Sequence, residues 1–274
     1  MKLGDFLARS IADRLGLPVR VAHRESVWTV SIADLDVNDS FTVEFRKEWR
    51  SAQSVLVWGK FARPCIQKLG EADSISRASV AAVADAMPKR VRAQFAVNGI
   101  ERPLNDPAAW PTDWKSVQWS FLRGSLPGDT MTDQDWEAVA SELVLPLLAM
   151  LVALLGVEEV DSDASAAEGA SYEARSVRYE RKKINRDICL RIRGNRCLCC
   201  NRSMEEEYGS IAHDLIDVHH ILPASEMGPA YRVNSTTDLI PVCPNCHRVL
   251  HRSDPPMPPE QLRALLESRR LGPA

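Results

Sequence analysis

The sequence predicts an α+β chain in two parts. A mixed α+β domain spans residues 1–157, and a smaller domain over residues 172–274 gathers two strands and a helix around metal. Three observations predict this. Short strand patterns and helical patterns intermix through the first 157 residues. The stretch "EEVDSDASAAEGAS", residues 158–171, is small, acidic and free of large apolar side chains, as a flexible connector is. Six of the seven cysteines then crowd between Cys189 and Cys246, leaving only Cys65 outside.

Taken in order, a first amphipathic helix is expected near Lys2–Leu15. The strand patterns "VRVAH", "VWTVSI", "FTVEFRKEW" and "SVLVWGK" follow, and "FTVEF" alternates apolar and polar positions as a half-buried strand does. Helices are expected around Phe61–Leu69 and Ser76–Ala86, and strands near Val91–Val97 and Val117–Leu122. "MTDQDWEAVASELVLPLLAMLVALLG" reads as a long helix with Thr132 as N-cap and Asp135 as its capping partner in the first turn. Its apolar run of about 14 residues holds Pro146 and is flanked by Glu142 and Glu158, which is short for a membrane span and reads as a buried helix. All seven tryptophans fall in this part. Trp110, Trp114 and Trp119 lie close together and are expected in the core, with a base-stacking or flipped-base pocket as the rival reading.

The formal net charge of -3 gives no sign of a polyanionic partner, but its distribution does. From Tyr172 to Arg202 ten arginines and lysines stand against three acids, among them Arg178, Arg181, Lys182, Lys183 and Arg186. A basic block in a mildly acidic chain points to an anionic partner, unless it is only the solvated face of a helix. No secretory signal is visible in "MKLGDFLARSIADRLG", and no membrane partner is expected. Cysteines clustered in an unsignalled chain point to metal rather than disulfides, and to a reducing cytoplasm.

The C-terminal part carries "CLCC" and "CPNCHRVLH". The pairs Cys197/Cys200 and Cys243/Cys246 offer four thiolates to one tetrahedral zinc, a closed structural site. Cys199 rivals Cys200, but the two-residue spacing favours Cys200. Cys189 and Cys65 read as small buried hydrophobes. The 42 residues between the pairs exceed what a plain zinc ribbon needs, so the ion is expected to pin the ends of an inserted structure. Within it "IDVHHIL" and "DLIPVC" read as strands. "CPNCHRVLHR" opens a helix with His247 and His251 on one face at i and i+4. Strand, strand and helix with these histidines make a ββα-metal arrangement.

At these residues the chain resembles an HNH endonuclease domain from about Arg178 to His251, closest to the zinc-stapled type of bacterial restriction enzymes of the McrA kind. The elements that carry the likeness are "RYERKKINRDIC", "GNRCLCC", "EEYGSIAHDLIDVHHILPASEMG" and "DLIPVCPNCHRVLH". The resemblance implies that His220 is the general base, and that His219, His247 and His251 hold a catalytic divalent ion, Mg²⁺ or Mn²⁺ or another, beside a structural Zn²⁺. It leaves the middle position of the motif to Asp238, which stands where an asparagine is common, or to Asn234 four residues earlier. His213 is expected as a surface histidine, His23 carries no role, and Asp217 reads as a solvated or turn-supporting carboxylate. The first strand is expected to be distorted or to end near Pro223, so that its two rings divide the work without either entering a core.

The function expected from the resemblance is a DNA endonuclease, by implication a restriction or phage-defence enzyme. The N-terminal domain would recognise a sequence, a modified base or a partner subunit. Two cuts across a duplex need two active sites, which a homodimer supplies. The rival reading is a zinc-stabilised, non-catalytic DNA-binding or regulatory protein with a decayed site.

Overall fold

The computed structural model describes residues 3–155, 172–221, 231, 233–253 and 255–270, and for 172–182 and 270 only the backbone. The expected connector 158–171 and Pro223 lie outside the described residues. The chain divides into two compact units, Met1–Ile184 and Asn185–Ala274.

The first unit is built on a seven-stranded sheet that is antiparallel throughout, in the order β1-β2-β3-β4-β7-β5-β6. Its strands are β1 Val19–Arg24, β2 Val27–Ile32, β3 Phe41–Lys47, β4 Ala52–Trp58, β5 Val91–Val97, β6 Ile100–Glu101 and β7 Val117–Arg123. The helices are α1 Leu3–Leu15, α2 Arg63–Gly70, α3 Ser74–Ala86 and α4 Asp133–Leu155. Alternation sorts each strand into two faces: in β3 the buried residues are Phe41, Val43 and Phe45, while Thr42, Glu44 and Arg46 face away from them. The short β6 was not anticipated. It is formed by a hairpin whose Asn98 and Gly99 take φ of 54° and 77°, the left-handed pair that a two-residue turn requires.

Helix α4 packs across β3, β4 and β7 and is covered in turn by α1, α2 and α3. By length and composition it is apolar enough to cross a membrane, but 72% of its most apolar window is buried inside the protein. Pro146 removes an N–H from its ladder, and Ser54 Oγ on β4 donates to the nearby Leu143 carbonyl at 3.0 Å. The three clustered tryptophans are core: Trp110, Trp114 and Trp119 surround the buried Phe95, with ring centroids 5.2, 5.8 and 4.9 Å away. The base-pocket reading of these rings is therefore set aside. His23 stacks on Trp28 at 4.2 Å.

Helix α5, Tyr172–Arg193, runs through the divide between the units. The second unit adds α6 Met204–Tyr208, a two-stranded antiparallel sheet of β8 Asp217–His220 and β9 Leu239–Val242, α7 Pro244–Leu250 and α8 Pro259–Arg270. Strand, strand and helix thus stand in the expected order. Helices α6 and α8 add to the expected elements, and Ser203 caps α6 by accepting from Glu206 N at 3.4 Å.

The start of α4 is closed reciprocally. Asp135 N donates to Thr132 Oγ1 at 3.2 Å, and Thr132 N donates back to Asp135 Oδ2 at 2.8 Å. Replacing Thr132 by Ala should cost about 1 kcal/mol in urea unfolding, and Thr132→Ser should restore most of it.

Candidate metal centres

Cys197 and Cys200 sit on a tight turn that Asn201 closes in the left-handed region, at φ 59°, with its N–H donating to Cys197 O at 2.8 Å. Cys200 N donates to Cys197 Sγ at 3.5 Å. Cys243 caps α7, and its Sγ accepts from Cys246 N at 3.4 Å. The two turns meet because Leu198 N donates to Pro241 O on β9 at 3.0 Å. The four Sγ atoms then lie within 4.8 Å of one another, and Cys200 and Cys243 are 3.8 Å apart. Zinc–sulfur bonds of about 2.3 Å in a tetrahedron set an S···S edge of about 3.8 Å, so the donor set fits a zinc ion.

The thiols also report how crowded this knot is. Cys197 is pushed down strongly, first by a hydrogen bond with Cys199 and then by one with Cys246. Cys199 is pushed up to about 12, chiefly by its bond with Cys197. Cys200 is pushed up to about 11 by burial. Without a cation the cluster can carry little negative charge, and a divalent ion removes that restriction. Cys199 touches the knot but stands outside the four-thiol set, as the spacing suggested.

The histidines are assembled by strand register and helix period. Pairing of β8 with β9 sets His219 opposite Ile240 and His220 opposite Leu239. On a pleated strand neighbours face opposite ways: His219 is 4% exposed, whereas His220 is exposed. The strand is regular up to His220 and ends there, and His219 does enter a buried position, against expectation. Helix α7 brings His247 and His251 to it one turn apart. Ring centroids are 5.4 Å for His219–His247, 5.0 Å for His219–His251 and 4.9 Å for His247–His251. One nitrogen of each ring lies within 4.8 Å of the others. His219 is buried, His247 half-buried and His251 exposed, so the cluster is open on one side, where an ion held there would keep positions free. Burial first, and then the facing His247, His251 and His220, lower His219 to about 4. Its imidazole is thus neutral near pH 7 and free to ligate.

Asp217 proved to be more than a solvated carboxylate. Its Oδ2 lies 3.0 Å from His247 Nδ1. An Nδ1–H donated to this carboxylate leaves the Nε2 lone pair for an ion and fixes the ring. The signal was present: Asp217 and His219 are two apart on one strand, hence on one face.

The two candidates for the middle position differ in what they hold. Asp238 accepts from Asn234 N at 2.7 Å, Tyr231 OH at 2.8 Å and Thr237 Oγ1 at 2.7 Å. Burial would raise its pKa, but the bonds from Thr237, Asn234 and Tyr231, together with the nearby His220, hold it below the usual carboxylate range. Asn234 spends its Oδ1 on Thr236 N and Oγ1, closing its own turn. Asp238 is therefore the one with an electrostatic link to His220.

The basic block splits. Arg186 donates to the carbonyls of Asp214 and Ile216 at 3.3 and 2.8 Å, which fastens the chain entering β8. Arg193 donates to Thr236 O at 2.8 Å, ahead of β9, and Arg191 pairs with the buried Asp187. Lys183 donates to Ala12 O at 3.2 Å. The side chains of Arg178, Arg181 and Lys182 lie outside the described residues. His213 is an exposed partner of Glu205.

A small ββα unit in which three imidazoles converge beside a four-thiol knot is the frame of a metal-binding nuclease domain. The family model of the HNH endonuclease matches residues 197–253, about a fifth of the chain, and the four-cysteine cluster of that segment is compatible with a structural zinc. No curated protein and no solved structure matches the chain. The HNH domain implies DNA as substrate and a nuclease-type function that uses metal.

Two outcomes test this geometry. Cys200→Ala should lose the tightly held zinc, measured by atomic absorption, while Cys199→Ser should keep it. Asp217→Asn should weaken Mn²⁺ binding to the histidine cluster by about 10–100-fold in a titration, with zinc content unchanged.

Proposed function

We propose that the chain is a metal-dependent DNA endonuclease in which His220 is the general base. The observation that carries this is the division of β8: His219 turns inward to His247 and His251, while the adjacent His220 stays exposed beside Asp238. A divalent ion held by His219, His247 and His251, Mg²⁺ or Mn²⁺ by the family's habit, would neutralise phosphate charge and stabilise the leaving oxygen. His220 takes a proton from the attacking water through an imidazole nitrogen. The Asp238 carboxylate, kept ionised by its three hydrogen bonds, favours the imidazolium that results and orients the ring. Asp217 fixes His247. The zinc in the four-cysteine knot is structural.

The same reading assigns target recognition to the first unit and a restriction or phage-defence role to the whole chain, acting in a reducing cytoplasm. The family chemistry leaves a 5′-phosphate and a 3′-hydroxyl. A second copy of the chain supplies the second cut of a duplex. The retained imidazoles of both roles speak against a decayed, purely DNA-binding protein.

Replacing His220 by Ala should lower plasmid cleavage in Mg²⁺ or Mn²⁺ by about 10²–10⁴-fold, while circular dichroism and zinc content stay as in the parent. Undiminished cleavage by that variant would sink the mechanism.

A further inference from the structure

The sheet of the first unit has helices on one face only in its central part: α4 crosses β3, β4 and β7 on the side of Phe41, Phe45, Ser54 and Leu143. Register and alternation define what stands on the other side. There β1 contributes Arg20 and Arg24, opposite Ser31 and Val27 of β2. Strand β3 contributes Arg46, opposite Val27 and Gln53. Strand β5 contributes Arg92, opposite Leu122. All four arginines are exposed. Between them the same face carries Thr29, Thr42, Gln53, Gln94 and Gln118, each partly or fully exposed. Its acids are Glu44, already paired with Arg46 at 2.8 Å, and Glu101 on the edge strand β6. Arg20, Arg24 and Arg92 form no ion pair among the described residues.

We infer that this open sheet face is the surface on which the first unit docks duplex DNA. This rests on the nuclease reading above for its substrate, but its residues belong to none of the metal centres. The face is basic although the chain as a whole is acidic, at a net charge of -3. From β1 to β5 is five inter-strand steps, roughly 24 Å at about 4.8 Å per step, so its charges are spread widely enough to meet several phosphates. Arginine, threonine and glutamine are among the side chains that bond phosphate oxygens, and arginine and glutamine are among those that read base edges. Single strands are held by stacking on aromatic rings. Every aromatic ring of these strands alternates to the helix side, so the open face favours an intact duplex. A second copy of the chain would set arginines against arginines.

The test uses the whole chain with His220→Ala, so that DNA is bound and not cut. Binding of a 30-base-pair duplex is followed by fluorescence anisotropy in Mg²⁺ over a salt series. Arg20→Gln, Arg24→Gln and Arg92→Gln together should weaken binding at least tenfold and flatten the log–log salt slope by about 0.9 for each arginine that meets a phosphate. Arg9→Gln, Arg63→Gln and Lys68→Gln, which remove the same charge from α1 and α2, should leave both nearly unchanged. Equal effects of the two triple variants, tighter binding of a single strand than of the duplex, or a change of oligomeric state in the first variant would each overturn the inference. Failure here is separable from failure of the nuclease reading. An unaltered chain that cuts plasmid while the first triple variant binds normally loses only the docking face. A chain that binds through this face and never cuts loses only the mechanism.

Discussion

The four-thiol knot is the constraint on which the second unit depends. Cys246 and His247 are neighbours on α7, so the residue that enters the knot fixes the one that enters the histidine cluster. The first turn is tied to β9 by Leu198, and β9 sets the register of β8 and with it the position of His219. Four of the twelve residues in its main buried cluster are the candidate ligands Cys197, Cys200, Cys243 and Cys246, so a third of that cluster is metal-ligand chemistry rather than hydrocarbon. A domain this small gains folding free energy from an ion that its hydrophobic burial alone does not supply.

Around that knot the polar groups act as guy ropes. Arg186 and Arg193 each spend their guanidinium on carbonyls of the segments that lead into β8 and β9. Tyr231, Asn234 and Thr237 converge on Asp238. These bonds stand beside a small buried cluster of Cys189, Val233 and Leu239, and they tie down the segments that lead into the two strands. A charged group near a metal-binding cluster can therefore belong to the scaffold.

The sequence made some of this legible and hid the rest for physical reasons. The strand patterns "VWTVSI" and Val91–Val97 fall at the observed strand bounds, alternation in "FTVEF" marks the buried face of β3, and Thr132 with Asp135 marks the start of α4, because those signals are local. Spacing chose Cys200 over Cys199 for the same reason. The bond between Asp217 and His247 spans 30 positions, and the two-residue spacing of Asp217 and His219 marks a shared face without naming the distant partner. The count of basic residues along α5 could not say which of them turn inward, since a charge total carries no direction. Burial of His219 was missed because a titratable ring was assumed to avoid a core, whereas neighbouring imidazoles and an open side give it a reason to be there.

That assumption bears on the adjacent pair itself. No bend in β8 is needed to separate the two roles, because the pleat already separates them. A residue facing inward has the low dielectric that keeps an imidazole neutral and leaves its lone pair free, as the depressed value of about 4 for His219 indicates. A residue facing outward meets water and substrate, and gains or loses its proton there. Inserting one residue between them would put both rings on one face. Adjacency on a regular strand is thus the shortest way for a chain to hold the ligand and the base that the proposed mechanism sets around one phosphate.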